Sequence, residues 1–412
     1  MVTNEDEYIH YGSLIKNTFG MKLSKDKLDE TSLEIMRYSY DSINWGDRLI
    51  GIRGARGVGK TTLLLQKILD SGKEREQSLY VSLDNVWLDA KDIYRLAEHF
   101  VQHGGQRLVL DEVHYVRDWQ RVIKNITDDF RELKIAYTGS SMLKIKARQG
   151  DLSRRQMSYE LPGLSFREFL KFEGVGDFEV LSLSDILSRH EDIARAIRRK
   201  LRILPLFEKY FRGGYYPFYR EGESHYDSRI LQAVNQTLDS DWPSVEDVTA
   251  ETVRKARKML RILAEMPPQT PKMKVLYEQL GTERQHGLKI LYALERAGLL
   301  RLLPASKESL KNLVSPEKIY CDNTNLMYAI MPDAGIGTAR EAFFLNQVGS
   351  VCSVTYPKRG DFLVDGKYLF EVGGKGKGFS QIKDVPNSYV VNDDTDVGIG
   401  NKIPLWLFDF MY

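Results

Sequence analysis

The chain has 412 residues, 42% of them hydrophobic and 11% aromatic, enough to bury a sizeable core across two or three domains. Its 59 Lys and Arg nearly cancel its 57 Asp and Glu, so the net charge of +2 excludes a uniformly basic nucleic-acid coat, and any such surface must be local. Cys321 and Cys352 are the only cysteines, which argues against a disulfide framework or a cysteine-rich metal site and fits a reducing cytoplasm; the acidic start has no signal-type core, and no apolar run approaches membrane-span length.

In chain order, residues 1–45 read as a helical segment, with apolar positions at helical spacing through Leu28, Leu33, Ile35, Met36 and Tyr40. Trp45-Gly46-Asp47-Arg48 leads into the apolar strand Leu49–Ile52. The stretch that follows, Gly54, Ala55, Arg56, Gly57, Val58, Gly59, Lys60, Thr61 and Thr62, fits the phosphate-loop pattern GxxxxGK[ST]. The glycines let successive N–H groups curl toward phosphate oxygens. Lys60 adds a charge for the β- and γ-phosphates, and the Thr61 hydroxyl suits Mg²⁺. The helix beginning here directs its positive end at the same anion. ATP and Mg²⁺ are therefore the expected ligands of this stretch.

Further strands are predicted at Ser78–Leu83, Arg107–Leu110, Lys134–Thr138 and Gln156–Leu161, with helices between them such as Thr61–Asp70 and Ala90–Gln102. The alternation predicts a parallel sheet covered by helices on both faces. Arg107–Leu110 ends in two carboxylates: Asp111 would join Thr61 around the metal, and Glu112 would act as general base on the attacking water. An Asp-Glu pair alone is usually a solvated strand end; its place two strands after the loop favours the chemical reading. The next strand ends in Thr138 and Ser140, either of which can reach a γ-phosphate or simply cap a turn. Arg154 and Arg155 follow in Gly150-Asp151-Leu152-Ser153-Arg154-Arg155; they are transition-state charge stabilisers or a surface pair.

Taken together, these motifs resemble an AAA-type ATPase. Asp111-Glu112-Val113-His114-Tyr115 resembles the Walker B segment, and Thr138-Gly139-Ser140-Ser141 the sensor-1 strand end. The run from Leu152-Ser153-Arg154-Arg155 to Leu161-Pro162-Gly163-Leu164-Ser165-Phe166-Arg167-Glu168-Phe169-Leu170 is similar to a group of prokaryotic ATPases that join an AAA domain to a C-terminal domain of unknown function. Gly213-Gly214-Tyr215-Tyr216-Pro217 resembles a turn that follows the core there. The resemblance implies that Arg154 or Arg155 is an arginine finger, in its own or a neighbouring subunit.

Residues 164–263 read as helices and carry two basic clusters, Arg189 to Arg202 and Arg254 to Arg261, for which a solvated helix face is the commoner explanation. Residues 264–305 resemble a winged helix-turn-helix, with Lys274–Gly281 and Arg284–Ala297 as its helices. A DNA-binding version would expose Arg284, Gln285, His286 and Lys289; a lid or dimerisation module is the equal alternative. In residues 306–412, Glu341 lies on an amphipathic helix, and Asp361 and Glu371 lie on two strands joined by Asp365-Gly366. Three acids converging on one point can hold a second divalent metal. Their order resembles the PD-(D/E)XK restriction-endonuclease fold. That motif expects a lysine where Gly373 stands, and the nearest base is Lys375, two residues on, which argues against cleavage.

The expected architecture is α/β: an AAA-type parallel-sheet core over 46–163, a helical and winged-helix region over 164–263 and 264–305, and a nuclease-like α/β domain over 306–412. The expected function is an ATP-hydrolysing switch. It acts on DNA, gates a metal-dependent nuclease, or regulates a protein partner, as a homo-oligomer or in a hetero-complex and without a membrane. A P-loop kinase is the remaining class, and no acceptor pocket speaks for it.

Overall fold

A computed structural model of the protein describes residues 27–412 apart from 73–76, 85–87, 144–151, 153, 267–272 and 306–315. The expected helix over residues 5–26, and Gly150, Asp151 and Ser153, lie outside the described residues. The chain forms two compact units, Met1–Pro162 with Ser240–Asp247, and Gly163–Asp239 with Val248–Tyr412.

The first unit is built on five strands: β1 (Leu49–Gly54), β2 (Ser78–Ser82), β3 (Arg107–Asp111), β4 (Lys134–Ser140) and β5 (Met157–Glu160). They pair in the order β2-β3-β4-β1-β5, every pair parallel. Ile50, Ile52, Leu108, Leu110, Ile135 and Tyr137 are buried on the inner strands, as a parallel sheet covered on both faces requires. Because the strands are parallel, the residues that end β1, β3 and β4 share one edge of the sheet. That edge carries Gly54, Asp111 and Ser140. Helices Lys60–Asp70, Ala90–Gln102 and Trp119–Asp129 provide the crossovers. The second of these starts with a reciprocal capping box between Asp89 and Asp92.

The helical character expected across residues 5–45 is only partly what residues 27–45 form. They are mostly turns with short helical pieces such as Ser39–Ser42. Tertiary bonds explain the difference. The Gln66 amide donates to the carbonyls of Ser32 (2.9 Å) and Ile35 (3.0 Å), which a helix would have kept for its own ladder. Arg37 donates to the carbonyls of Val58 (2.9 Å) and Pro162 (3.1 Å) and pins the segment beside the phosphate loop.

The second unit opens with helices Phe166–Phe172, Leu183–Lys200, Ile203–Gly213, Tyr226–Gln236 and Ala250–Glu265. Helices Met273–Leu280 and Arg284–Arg296 follow, and then an antiparallel pair, β6 (Leu300–Leu303) with β7 (Lys318–Cys321). After helices Thr324–Ile330 and Ile336–Val348 comes a second sheet of β8 (Val354–Thr355), β9 (Phe362–Val364), β10 (Tyr368–Gly373), β11 (Ser388–Asn392) and β12 (Lys402–Pro404). Its order is β12-β11-β10-β9-β8, antiparallel from β8 to β10 and parallel from β10 to β12. The β9–β10 turn places Asp365 at φ 51° and Gly366 at φ 66°, the left-handed backbone that an Asp-Gly pair tolerates. Phe344 packs the helix Ile336–Val348 onto this sheet through rings of Phe362 and Phe370, each 5.1 Å away, and Phe408 at 5.0 Å.

Candidate functional site

The phosphate loop leaves β1 and enters the helix Lys60–Asp70. Gly57 at φ 86° and Gly59 at φ 95° make the reversal, a backbone that other residues adopt only under strain. A side chain at Gly54 would run into the Leu161 carbonyl. Lys60 is buried, and its ammonium donates to the carbonyls of Gly54 and Ala55, both at 3.1 Å, so its charge sits inside the curl of the loop.

Asp111, buried at the end of β3, is the hub beside it. Its Oδ2 accepts from the Thr61 hydroxyl (2.8 Å) and from the Tyr80 hydroxyl (2.7 Å). Its Oδ1 accepts from Thr138, and the Thr138 oxygen in turn accepts the Glu112 N–H at 2.9 Å. Thr138 is fully buried, and its hydroxyl holds both acids in place. Lys27 donates to the Tyr80 hydroxyl at 3.1 Å. Burial, and then Asp111, push the Tyr80 phenol far above its usual range, so Tyr80 stays a donor to the carboxylate. Every partner of Asp111 named here is a neutral donor. Thr61 and Asp111 are adjacent hard oxygen donors of the kind Mg²⁺ takes.

Glu112 stands at φ 57°, in the left-handed region, where a non-glycine residue is held only by its surroundings. Its Oε2 lies 3.2 Å from Nδ1 of the buried His114. The Ser140 N–H points to the same Nδ1 at 3.3 Å, while the Ser140 hydroxyl accepts from the Met142 N–H at 3.3 Å. The other ring nitrogen, Nε2, is 3.4 Å from Asp241 Oδ1. That oxygen also receives Arg56 of the phosphate loop (3.2 Å) and the Tyr115 hydroxyl (3.1 Å). Burial alone would raise the Asp241 pKa; His114, Arg56 and Tyr115 together hold it below the usual carboxylate value. Arg56 shows the reverse balance: burial opposes its charge, and Asp241, Tyr115 and Glu112 outweigh that and raise its pKa.

Arg154 and Arg155 are exposed and are not brought to the phosphate loop. They precede β5, whose Met157 lies opposite Ile50 near the start of β1, whereas the loop leaves from the far end of that strand. At about 3.3 Å per residue the separation is roughly 15–20 Å. Arg155 instead sits 3.4 Å from Asp128, at the end of the helix that returns to the start of β4.

In the second unit, Glu341, Asp361 and Glu371 do converge, with lysines between them. Lys318 Nζ is 2.9 Å from Glu341 Oε2 and 3.5 Å from Asp361 Oδ1; the Tyr320 hydroxyl donates to Glu341 at 2.7 Å. The Asp361 carboxylate also accepts the Val372 N–H at 2.9 Å. Glu371, fully buried, is met by Lys377 at 2.5 Å, not by the expected Lys375, which is exposed. The turn closed by the Lys377 N–H on the Gly374 carbonyl (2.9 Å) brings the later lysine back. Burial first, and then Asp361, raise the Glu341 pKa; burial opposes the charge of Lys318, but both acids outweigh it and hold that ammonium above its usual value. Among the described residues, no group of three or more His, Cys, Asp and Glu side chains is placed to hold a metal ion.

The helix Arg284–Arg296 exposes Arg284, Gln285 and Lys289, while His286 is half-buried with its Nε2 3.4 Å from the Thr252 hydroxyl. Of the first basic cluster, Arg189, Arg195 and Arg198 each lie against an acid. Lys255, Arg257 and Arg261 of the second do the same.

Residues 46–170 match the family model of an AAA domain, and residues 204–337 match that of a domain of unknown function, DUF8612. An uncharacterized protein of Methanocaldococcus jannaschii is 28% identical over 397 residues, covering 86% of this chain and 83% of its own. Two solved structures are loosely similar. The Aeropyrum pernix ORC1 protein in complex with DNA has TM-score 0.29 and 13% identity, and the overlap covers 70% of this chain and 87% of that one. AMPPCP-bound DnaA from Aquifex aeolicus has TM-score 0.25 and 13% identity, with 67% and 88% covered. The family match and the parallel sheet carrying the phosphate loop make residues 46–170 an AAA-type P-loop α/β domain. Among the described residues, no helix is long and apolar enough to cross a membrane.

Proposed function

We propose that the chain is an ATP-hydrolysing AAA-type switch. The observation that carries the reading is the meeting of Thr61 and Asp111 at 2.8 Å at the mouth of the phosphate loop, with Glu112 next in sequence and anchored by Thr138. The loop N–H groups and Lys60 would bind the triphosphate. Thr61 and Asp111 would hold Mg²⁺, which when bound neutralises charge on the β- and γ-phosphates. Glu112 would orient the attacking water and take its proton, and Thr138 would fix the angle between the two acids. Because Arg154 and Arg155 stand at the opposite end of the sheet, a finger role for either would require a second copy of the chain.

The second unit is read as the part on which the switch acts. Helices Met273–Leu280 and Arg284–Arg296 followed by the β6–β7 pair support a winged helix, and exposed Arg284, Gln285 and Lys289 suit a nucleic-acid backbone. The mixed sheet carrying Glu341, Asp361 and Glu371 supports a nuclease-like fold. Its two lysine partners favour a binding or structural role over metal-dependent cleavage. The test is phosphate release from ATP by the full chain in Mg²⁺, with and without labelled single- and double-stranded DNA. ATP turnover lost in Lys60→Ala supports the reading, and full turnover by that variant overturns it. A gel shift weakened by Arg284→Glu supports DNA as the partner; no shift on either DNA removes it.

A further inference from the structure

The segment from Lys27 to Trp45 precedes the residues that match the AAA domain, yet it is tied to the helix that follows the phosphate loop. The Gln66 amide holds the carbonyls of Ser32 and Ile35, and the Tyr40 hydroxyl donates to Asp70 at 2.7 Å. Between these ties lies Arg37, buried at 5% exposure. Its Nη1 donates to the Val58 carbonyl at 2.9 Å and its Nη2 to the Pro162 carbonyl at 3.1 Å, so the planar fork is held at two points. At the start of the segment, Lys27 reaches the Tyr80 hydroxyl, which itself donates to Asp111. The same short stretch therefore touches both the loop and the acid beside it.

Val58 lies within the phosphate loop, and its peptide with Gly59 is trans, like every peptide of the chain. In a trans peptide the C=O of one residue and the N–H of the next point in opposite directions. Arg37, by holding the Val58 carbonyl, thus sets the Gly59 N–H facing away from the guanidinium. Gly59 caps the helix Lys60–Asp70, where no earlier turn supplies an acceptor and the N–H groups serve an anion. A glycine enters the φ 95° seen here without strain, but it leaves as easily, so a bond from outside the loop is needed to select one orientation. We propose that Arg37 is a positioning residue of the nucleotide site: from behind the loop it fixes the Val58–Gly59 peptide so that the Gly59 N–H faces the phosphates. This rests on the reading of residues 54–62 as a nucleotide-binding loop.

The experiment measures, on the full chain, the Kd of a fluorescent ADP and the melting temperature without nucleotide. Arg37→Met is expected to weaken ADP roughly tenfold or more, the worth of one N–H bond to a charged group. Tyr40→Phe is the control. It removes another tie of the same segment, and is expected to lower the melting temperature while leaving Kd within about twofold. A folded Arg37→Met chain that binds ADP within about twofold of wild type overturns the proposal. So does an equal loss of affinity in Tyr40→Phe, because the segment would then act only by stabilising the domain. If Arg37→Met does not fold, Arg37→Gln decides by the same thresholds, since its amide stays polar but ends short of the Val58 carbonyl. Failure of the nucleotide reading is a separate outcome, seen as a wild-type chain that does not bind the fluorescent ADP, or as Lys60→Ala binding it equally well.

Discussion

Two clusters of carboxylates, one in each unit, use the same residue types to different ends. Around Asp111 the partners are hydroxyls of Thr61, Tyr80 and Thr138, which orient the acid without cancelling its charge. Around Glu341, Asp361 and Glu371 the partners are the ammonium groups of Lys318 and Lys377. The first cluster keeps a negative charge available for a cation and its phosphate; in the second, two ammonium groups already offset most of the charge of three acids. Acids converging on a point are therefore a weaker sign of a metal centre than the charge of the groups that hold them.

The largest effect that would sharpen this contrast is expected from Lys318→Met. It leaves Glu341 and Asp361 close together without their cation, and removing one partner of a buried pair costs about 3–5 kcal/mol. A melting curve reads the loss, and Mn²⁺ is expected to return part of it in the variant while leaving the wild type unmoved. A neutral Lys318→Met, or equal Mn²⁺ effects on both proteins, would break the comparison. Thr138→Val comes next. It strips a donor from Asp111 and an acceptor from the Glu112 N–H, for about 1–3 kcal/mol in chemical denaturation and a larger relative loss of turnover. Tyr80→Phe removes one of two donors to Asp111 Oδ2 and should cost about 1 kcal/mol, because Thr61 remains. Lys375→Ala is expected to change neither melting nor turnover, in contrast to Lys377→Ala.

How much of this the sequence disclosed follows the distance over which each contact is made. The phosphate loop, the five parallel strands and the Asp111–Glu112 pair were legible because each depends on a few consecutive residues and on strand–helix alternation. Asp241 was not legible: nearly two hundred residues separate it from Arg56, and no local pattern marks a residue of Ser240–Asp247 as belonging with the first unit. His114 lay in plain view beside Glu112, yet its other neighbours, Asp241 and Ser140, are distant in sequence. Lys377 was missed because nearness in sequence to Gly373 favours Lys375, whereas the chain curls after β10 and brings the later lysine back. Lys318 was missed because β7 precedes the acids it bridges by more than twenty residues, and a lone lysine carries no signal. The helical segment expected over the first forty-five residues is reduced, from residue 27 onward, to short pieces by hydrogen bonds from Gln66 and Arg37 that local periodicity cannot foresee.

The most direct test of the account is Glu112→Gln, with nucleotide affinity and phosphate release measured on the same preparation. The amide keeps the size of the side chain and removes the base. ATP affinity is expected to stay within about twofold while phosphate release falls roughly a hundredfold or more, the usual worth of a positioned general base. Phosphate release at the wild-type rate would contradict the assignment of Glu112, and with it the reading of this loop and strand edge as a hydrolytic site.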